Sequence, residues 1–194
     1  MTRMIAYRTD IQNDFMNSNG RLYVPDAETI KPNIEAVTAF AAENGLQQIY
    51  GMDRHFATDA ELKDNGGPFP WHCMDRQYAA GRNPDGTYGM DIIPQARGPQ
   101  GIFLEKQHYD VFTNPQTERV LADLGVTDAI VDGVATDYCV KAAVLGMQER
   151  GIQTYVVADA IRGITPQGAA EALEAMQDAG AKMIRTQELP DLLR

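Results

Sequence analysis

The chain of 194 residues is 44% hydrophobic and 23% charged, which suits one ordinary globular domain spanning 1–194, long enough to bury a core. Its 17 Lys and Arg against 27 Asp and Glu give a net charge of −10. That balance argues against a nucleic-acid partner, which needs a basic face, and against an anionic membrane surface.

The N-terminal stretch, running through Asp10 to Phe15, is too polar for a secretory signal, and no apolar run approaches the roughly 20 residues of a membrane span. The chain reads as cytoplasmic, and its two cysteines, Cys73 and Cys139, read as free thiols. Met4 to Asp10 forms a first strand, made unusually polar by Arg8 and Thr9. Ile30, Ile34, Val37 and Ala41 recur at helical spacing, with Gly45 as a stop. Gln48 to Met52 is a second strand. From Arg54 to Gly101 periodicity lapses, and a loop this long inside a compact domain points to function or disorder.

Regular elements then return. Gly101 to Lys106 reads as a strand, Gln116 to Leu124 as a helix ended by Gly125, and Asp128 to Asp132 as a buried strand. Tyr138 to Arg150 reads as a helix with Val140, Val144 and Met147 inward. Thr154 to Ala158 is a strand, and Thr165-Pro166 caps a helix running to Ala179. Lys182 to Arg185 is a last strand and Leu189 to Leu193 a short helix. Alternation of strand and helix predicts a three-layer α/β/α fold with a mostly parallel central sheet.

Ligands of such sheets bind beyond the carboxyl ends of the strands. The polar residues that close or follow the strands are Asp10, Asp53, Lys106 and the turn from Gly133 to Cys139, and they should meet at one rim. Cys139 falls just inside a helix N-terminus, which favours a thiolate, and the turn before it offers amides for an oxyanion. Asp10 supplies a base and Lys106 a charge. Taken alone, Cys139 reads as a buried small hydrophobe and Lys106 as a solvated strand end. Asp53 and His55 project to one side of an extended chain, and His72 could complete a mixed oxygen and nitrogen site for a divalent metal. By spacing alone, exposed loop histidines are the plainer reading.

Three segments carry a resemblance: Thr9-Asp-Ile-Gln-Asn-Asp-Phe15, Lys106 with Tyr109-Asp-Val-Phe112, and Gly133-Val-Ala-Thr-Asp-Tyr-Cys-Val-Lys141. In this order they resemble the isochorismatase-like cysteine hydrolases, and among these most of all the nicotinamidases. The resemblance implies that Asp10 accepts the proton, Lys106 partners it electrostatically, and Cys139 is the nucleophile. It also implies a cis peptide between Val134 and Ala135 that turns the amides of Ala135 and Cys139 toward the oxyanion. Asp53, His55 and His72 would be the metal ligands, with zinc foremost and manganese or iron as alternatives. The implied reaction is hydrolysis of nicotinamide to nicotinate and ammonia in pyridine nucleotide salvage, by an enzyme that forms a dimer or tetramer. Phe15, Phe69, Tyr109 and Trp71 are candidate aromatic walls around a flat ring, or else simply pack the core.

The sequence departs from the nicotinamidase pattern after His55, where a further histidine is missing. A fourth ligand would have to come from Asp59, Glu61 or Asp64. Arg8 and Thr9 stand where the family is apolar. Cys73 is a third metal contact, a redox partner of Cys139 or a spectator, and His108 has no partner in sequence. Three other readings remain: a family hydrolase acting on another carboxamide, a carbamoyl amide or a vinyl ether; a catalytically silent binding domain; and a structural zinc module.

Overall fold

The computed structural model describes residues 3–99 and 101–194. Met1 and Thr2 of the N-terminal stretch and Gln100 of the long loop lie outside the described residues. Six strands form one parallel sheet: β1 (Met4–Thr9), β2 (Gln47–Asp53), β3 (Gly101–Lys106), β4 (Asp128–Val134), β5 (Gln153–Arg162) and β6 (Lys182–Ile184). Their order across the sheet is β3-β2-β1-β4-β5-β6, so the chain winds outward in both directions from β1. A short helix, α1 (Asn13–Met16), follows β1. It is succeeded by α2 (Lys31–Glu43), α3 (Gln116–Asp123), α4 (Lys141–Glu149) and α5 (Pro166–Asp178).

Side chains alternate across each strand and build two cores, one on each face of the sheet. Ile34 and Val37 of α2 pack with Ile130 and Val157 on one face. Leu121 of α3, Val144 and Met147 of α4, and Met176 of α5 pack with Ile5, Ile49 and Val131 on the other. The Thr165 hydroxyl accepts the Gly168 amide at 3.0 Å and starts α5. None of the described helices is long and apolar enough to cross a membrane.

The polar end of β1 has a structural explanation. Arg8 is fully buried, and the β1–β4 register sets it beside Asp132. Its guanidinium donates to both carboxylate oxygens of Asp132, at 2.6 and 2.8 Å. It also donates to Gln48 Oε1 at 2.8 Å and to the Ile34 carbonyl and Thr38 hydroxyl of α2. This ion pair ties strand, neighbouring strand and covering helix together inside the core.

Three elements differ from their sequence expectation. Residues Thr136–Val140 wind as a π-type turn before α4 begins at Lys141, so Cys139 sits in that turn and not in the first turn of an α-helix. The Val140 amide reaches back to the Ala135 carbonyl at 3.1 Å, a five-residue span. β5 runs to Arg162, past the expected end at Ala158, because a register shift opposite Val131 and Gly133 lets pairing resume. The chain's last element is a 3₁₀ segment, Thr186–Leu193.

Candidate active site and metal centre

Register places the charged residues. Asp53 closes β2 directly beside Lys106, which closes β3. Asp10 follows β1, in left-handed backbone at φ 48°, with its amide held by the Gly51 carbonyl at 2.8 Å. Gly133 lies against β1 at φ 114°, where an added Cβ would stand 1.9 Å from the Thr9 carbonyl oxygen. Only glycine lets β4 pass this close before the chain turns through the cis Val134–Ala135 peptide to Cys139.

These ends surround a cavity of about 190 Å³. Asp10, Asp53, Ala135 and Cys139 line it, with Phe15, Phe69, Tyr109 and His72. At its floor the Lys106 ammonium donates to Asp10 Oδ2 at 2.8 Å and to Asp53 Oδ1, and stands 3.7 Å from Cys139 Sγ. Asp10 Oδ1 is buried and has no hydrogen-bond partner among the described residues.

The electrostatics follow from burial set against pairing. Burial pushes the Asp10 carboxyl up from its ordinary 3.8 to about 6, against the pull of Lys106. Burial also acts on Asp53, but the Lys106 charge and the neighbouring His55 and His72 imidazoles outweigh it and hold this carboxyl below its usual range. Burial works against the Lys106 ammonium, yet the two carboxylates keep its pKa well above the ordinary lysine value. The Cys139 thiol is pushed well up by burial, only partly countered by Lys106. This overturns the expectation of a thiolate favoured by a helix end. The turn around Cys139 is not an α-helical N-terminus, and desolvation disfavours the anion.

The second constellation sits alongside. Asp53, His55 and His72 offer ligand atoms that all lie within 4.8 Å of one another. His55 Nδ1 is 3.1 Å from Asp59 Oδ2, and His72 Nδ1 is 2.8 Å from the Pro70 carbonyl. With both Nδ1 atoms engaged, the two Nε2 atoms face Asp53 Oδ2, at 3.7 and 3.5 Å. His55 Nε2 is buried and without a hydrogen bond. An orphaned imidazole nitrogen beside a carboxylate and a second imidazole is the donor set of a divalent metal with open positions, so the residues fit one.

The three candidates for a further ligand fall outside the group formed by Asp53, His55 and His72. Asp59 backs His55, Asp64 accepts from the Trp71 indole at 2.9 Å, and Glu61 lines the cavity and meets His108 Nδ1 at 3.0 Å. His108 therefore has a partner, brought to it by the long loop. Trp71 is not among the cavity walls; the Asp64 bond and an edge-on contact with Tyr78 draw it aside. Cys73 is fully buried, with its thiol 3.9 Å from the Gly89 carbonyl and outside the metal group.

Several site residues escaped the sequence reading. Gln12 grips Asp53 from both sides: its Nε2 donates to the Asp53 carbonyl at 2.7 Å and its Oε1 accepts the Asp53 amide at 2.8 Å. Asp14 Oδ2 accepts the Cys73 amide at 2.7 Å and so secures the loop bearing His72. Both belong to the first motif, and their polarity beside a strand end was the available signal. Tyr138, Leu22, Val24 and Ile164 complete the cavity wall. Nothing in their spacing marks them, because three separate segments deliver them.

The fold and site can be set beside known proteins. The nicotinamidase of Escherichia coli (strain K12) is 26% identical over 202 residues, covering 90% of this chain and 91% of the relative. The ureidoacrylate amidohydrolase of Serratia proteamaculans (strain 568) is 26% identical over 183 residues, covering 84% and 71%. A crystal structure of Pyrococcus horikoshii pyrazinamidase in complex with zinc superposes with a TM-score of 0.84 at 27% identity, covering 94% of this chain and 99% of that one. Residues 8–188 match the isochorismatase domain, a span that takes in every strand end described above, and the chain belongs to the isochorismatase family.

Proposed function

We infer that the protein is a metal-assisted cysteine amidohydrolase of small planar carboxamides, with nicotinamide as the leading substrate. The observation that carries this reading is the Asp10–Lys106–Cys139 cluster opening into an aromatic-walled cavity beside Asp53, His55 and His72. A cavity of about 190 Å³ is below the roughly 300–1,000 Å³ of pockets for drug-sized ligands and suits a single ring. The E. coli and P. horikoshii relatives, a nicotinamidase and a pyrazinamidase, support the same class.

The chemistry follows from the geometry. The thiol is neutral at rest, so its proton leaves as sulfur attacks, and the unpartnered Asp10 Oδ1 accepts it. Lys106 holds the other carboxylate oxygen and stabilises the charge as it moves. The C–S bond forms at the amide carbon, and the backbone amides of Ala135 and Cys139 take up the oxyanion. Asp10 returns the proton to nitrogen as the C–N bond breaks and ammonia departs, leaving a thioester on Cys139. Water then attacks the thioester and gives a proton to Asp10. The C–S bond breaks as Asp10 returns that proton to Cys139, and the carboxylic acid leaves and gives its remaining proton to solvent.

Asp53, His55 and His72 would hold the divalent metal, zinc first, and the metal supplies a Lewis-acidic anchor for a ring nitrogen. Phe15, Phe69 and Tyr109 flank the ring. The reading implies a small-molecule amide partner, a cytoplasmic place in pyridine nucleotide salvage and assembly as a dimer or tetramer. The test is ammonia release by zinc-loaded protein from a panel of nicotinamide, pyrazinamide and ureidoacrylate. Release from the two ring amides is expected. Release from ureidoacrylate alone would replace this substrate class with a ureido acid, and release from none would refute the amidohydrolase.

A further inference from the structure

Glu61 is the one charged side chain of the cavity wall that neither the Lys106 cluster nor the metal group uses. Asp10 and Asp53 are committed to Lys106, and Asp53 and His72 to the metal group. Glu61 is bound on its outer side only. Its Oε1 meets His108 Nδ1 at 3.0 Å, and that imidazole is 58% exposed, whereas the Glu61 side chain is 17% exposed. No hydrogen bond to Oε2 is made among the described residues.

The backbone that carries Glu61 is held beside the aromatic wall. The Phe69 amide donates to the Glu61 carbonyl at 3.1 Å, and the Lys63 amide donates to the Phe69 carbonyl at 2.7 Å, closing a narrow loop. Gly67 packs beneath it so tightly that a Cβ there would lie 2.2 Å from the Glu61 carbonyl carbon. Phe69 in turn packs edge-on to Tyr109, with ring centroids 5.9 Å apart. Tyr109 registers the neighbour: burial raises its phenol pKa first, and the Glu61 charge raises it further.

A carboxylate on the wall of this cavity, beside the Phe69 and Tyr109 rings, accepts hydrogen bonds and repels anions. Leaving it without a donor costs binding, and placing a second carboxylate against it costs more. We propose that Glu61 is a specificity-determining residue, selecting planar amides that carry an amino or other N–H donor group on the ring and rejecting those that carry a carboxylate. This deepens the amidohydrolase reading and rests on it for the placement of the ring, but it concerns recognition and not the bond-breaking step.

Binding tests it separately from turnover. Zinc-loaded Cys139→Ala protein would be titrated calorimetrically with an amino-substituted and a carboxyl-substituted nicotinamide, alone and combined with Glu61→Gln or His108→Ala. The amino compound should bind more tightly, and E61Q should narrow the ratio of the two dissociation constants by roughly ten-fold. H108A, which removes the outer partner and keeps the carboxylate, should leave the ratio in place. An unchanged ratio in E61Q, a failure of both compounds to bind, or loss of zinc from E61Q at retained fold would each overturn the proposal, the last by assigning Glu61 to the metal. Absence of ammonia release by the intact protein would instead count against Cys139 chemistry, and the binding ratio would stand on its own.

Discussion

Two buried ion clusters tie neighbouring strands of this sheet, and they behave in opposite ways. Arg8 and Asp132 meet one residue before the C-terminal end of the β1–β4 pairing, and every guanidinium nitrogen finds an acceptor among Asp132, Gln48, Ile34 and Thr38. Lys106, Asp10 and Asp53 meet two residues further along, where β1 and β2 end. There Asp10 Oδ1 and the nearby His55 Nε2 are left without partners, and a cavity opens over them. The closed cluster is a fastening. The open one keeps unmet bonding capacity beside a cavity, where a substrate or metal can use it, and that difference, not burial of charge, separates these two clusters.

Substitutions should separate the two clusters sharply. Cys139→Ala should lower ammonia release by roughly 10⁴-fold or more while thermal unfolding stays close to the parent, since a single sulfur on the cavity wall is lost. Asp10→Asn should lower it by about 10²–10⁴-fold. Substantial activity in either variant would remove the proposed mechanism. Arg8→Ala should act on stability instead. It strands Asp132 in the core, which costs about 3–5 kcal/mol in denaturant titration. Replacing both partners by apolar side chains of similar volume should recover most of that loss. If the double replacement is as unstable as the single one, the cluster is more than a fastening.

A smaller effect tests the open side. Asp59 sets which nitrogen of His55 faces Asp53, so Asp59→Ala should weaken metal affinity by about 10–100-fold, as loss of such supporting carboxylates does elsewhere. Competition with a chromogenic chelator reads this directly. Unaltered affinity would mean that packing alone orients the imidazole.

The contrast also explains what the sequence could reveal. Strand ends such as Lys106, and the Asp10 and Cys139 motifs, are legible because the chemistry needs those residue types at the carboxyl edge of a parallel sheet. Lys106 was even placed to the residue, since alternation runs up to it from Gly101. Arg8 gave no account of itself, because its partners lie 26 to 124 positions away and only register and helix packing bring them in. Trp71 misled for a related reason. Its position in the loop is right for the cavity, but one bond to Asp64 turns the indole out. Glu61 and His108 were read separately, and only the fold of the long loop makes them a pair. Cys139 was found by its motif, but its protonation depends on burial, which spacing does not report.

The smallest predicted effect is the most direct probe of the open cluster's electrostatics. Burial raises the Asp10 carboxyl from 3.8 to about 6 in the folded chain. Between those values the native state binds a proton that the unfolded state has released, so unfolding free energy falls as pH rises through this window. The Asp10 contribution is therefore unfavourable above the folded pKa and is relieved as pH drops below it. Asp10→Asn keeps the shape and removes the titration. With metal content matched, the parent should gain stability relative to D10N as pH falls from about 7 to about 5. Parallel curves would mean that the carboxyl titrates at its ordinary value and that Lys106 fully offsets its burial. In the proposed mechanism Asp10 must be ionised to accept the thiol proton, so kcat/KM of the parent should decline on the acid side with an apparent pKa near 6 that belongs to the coupled cluster. Burial also raises the Asp132 carboxyl, and that contribution is common to parent and D10N, so a stability difference and an activity limb at the same pH would tie the unmet capacity of Asp10 to the chemistry.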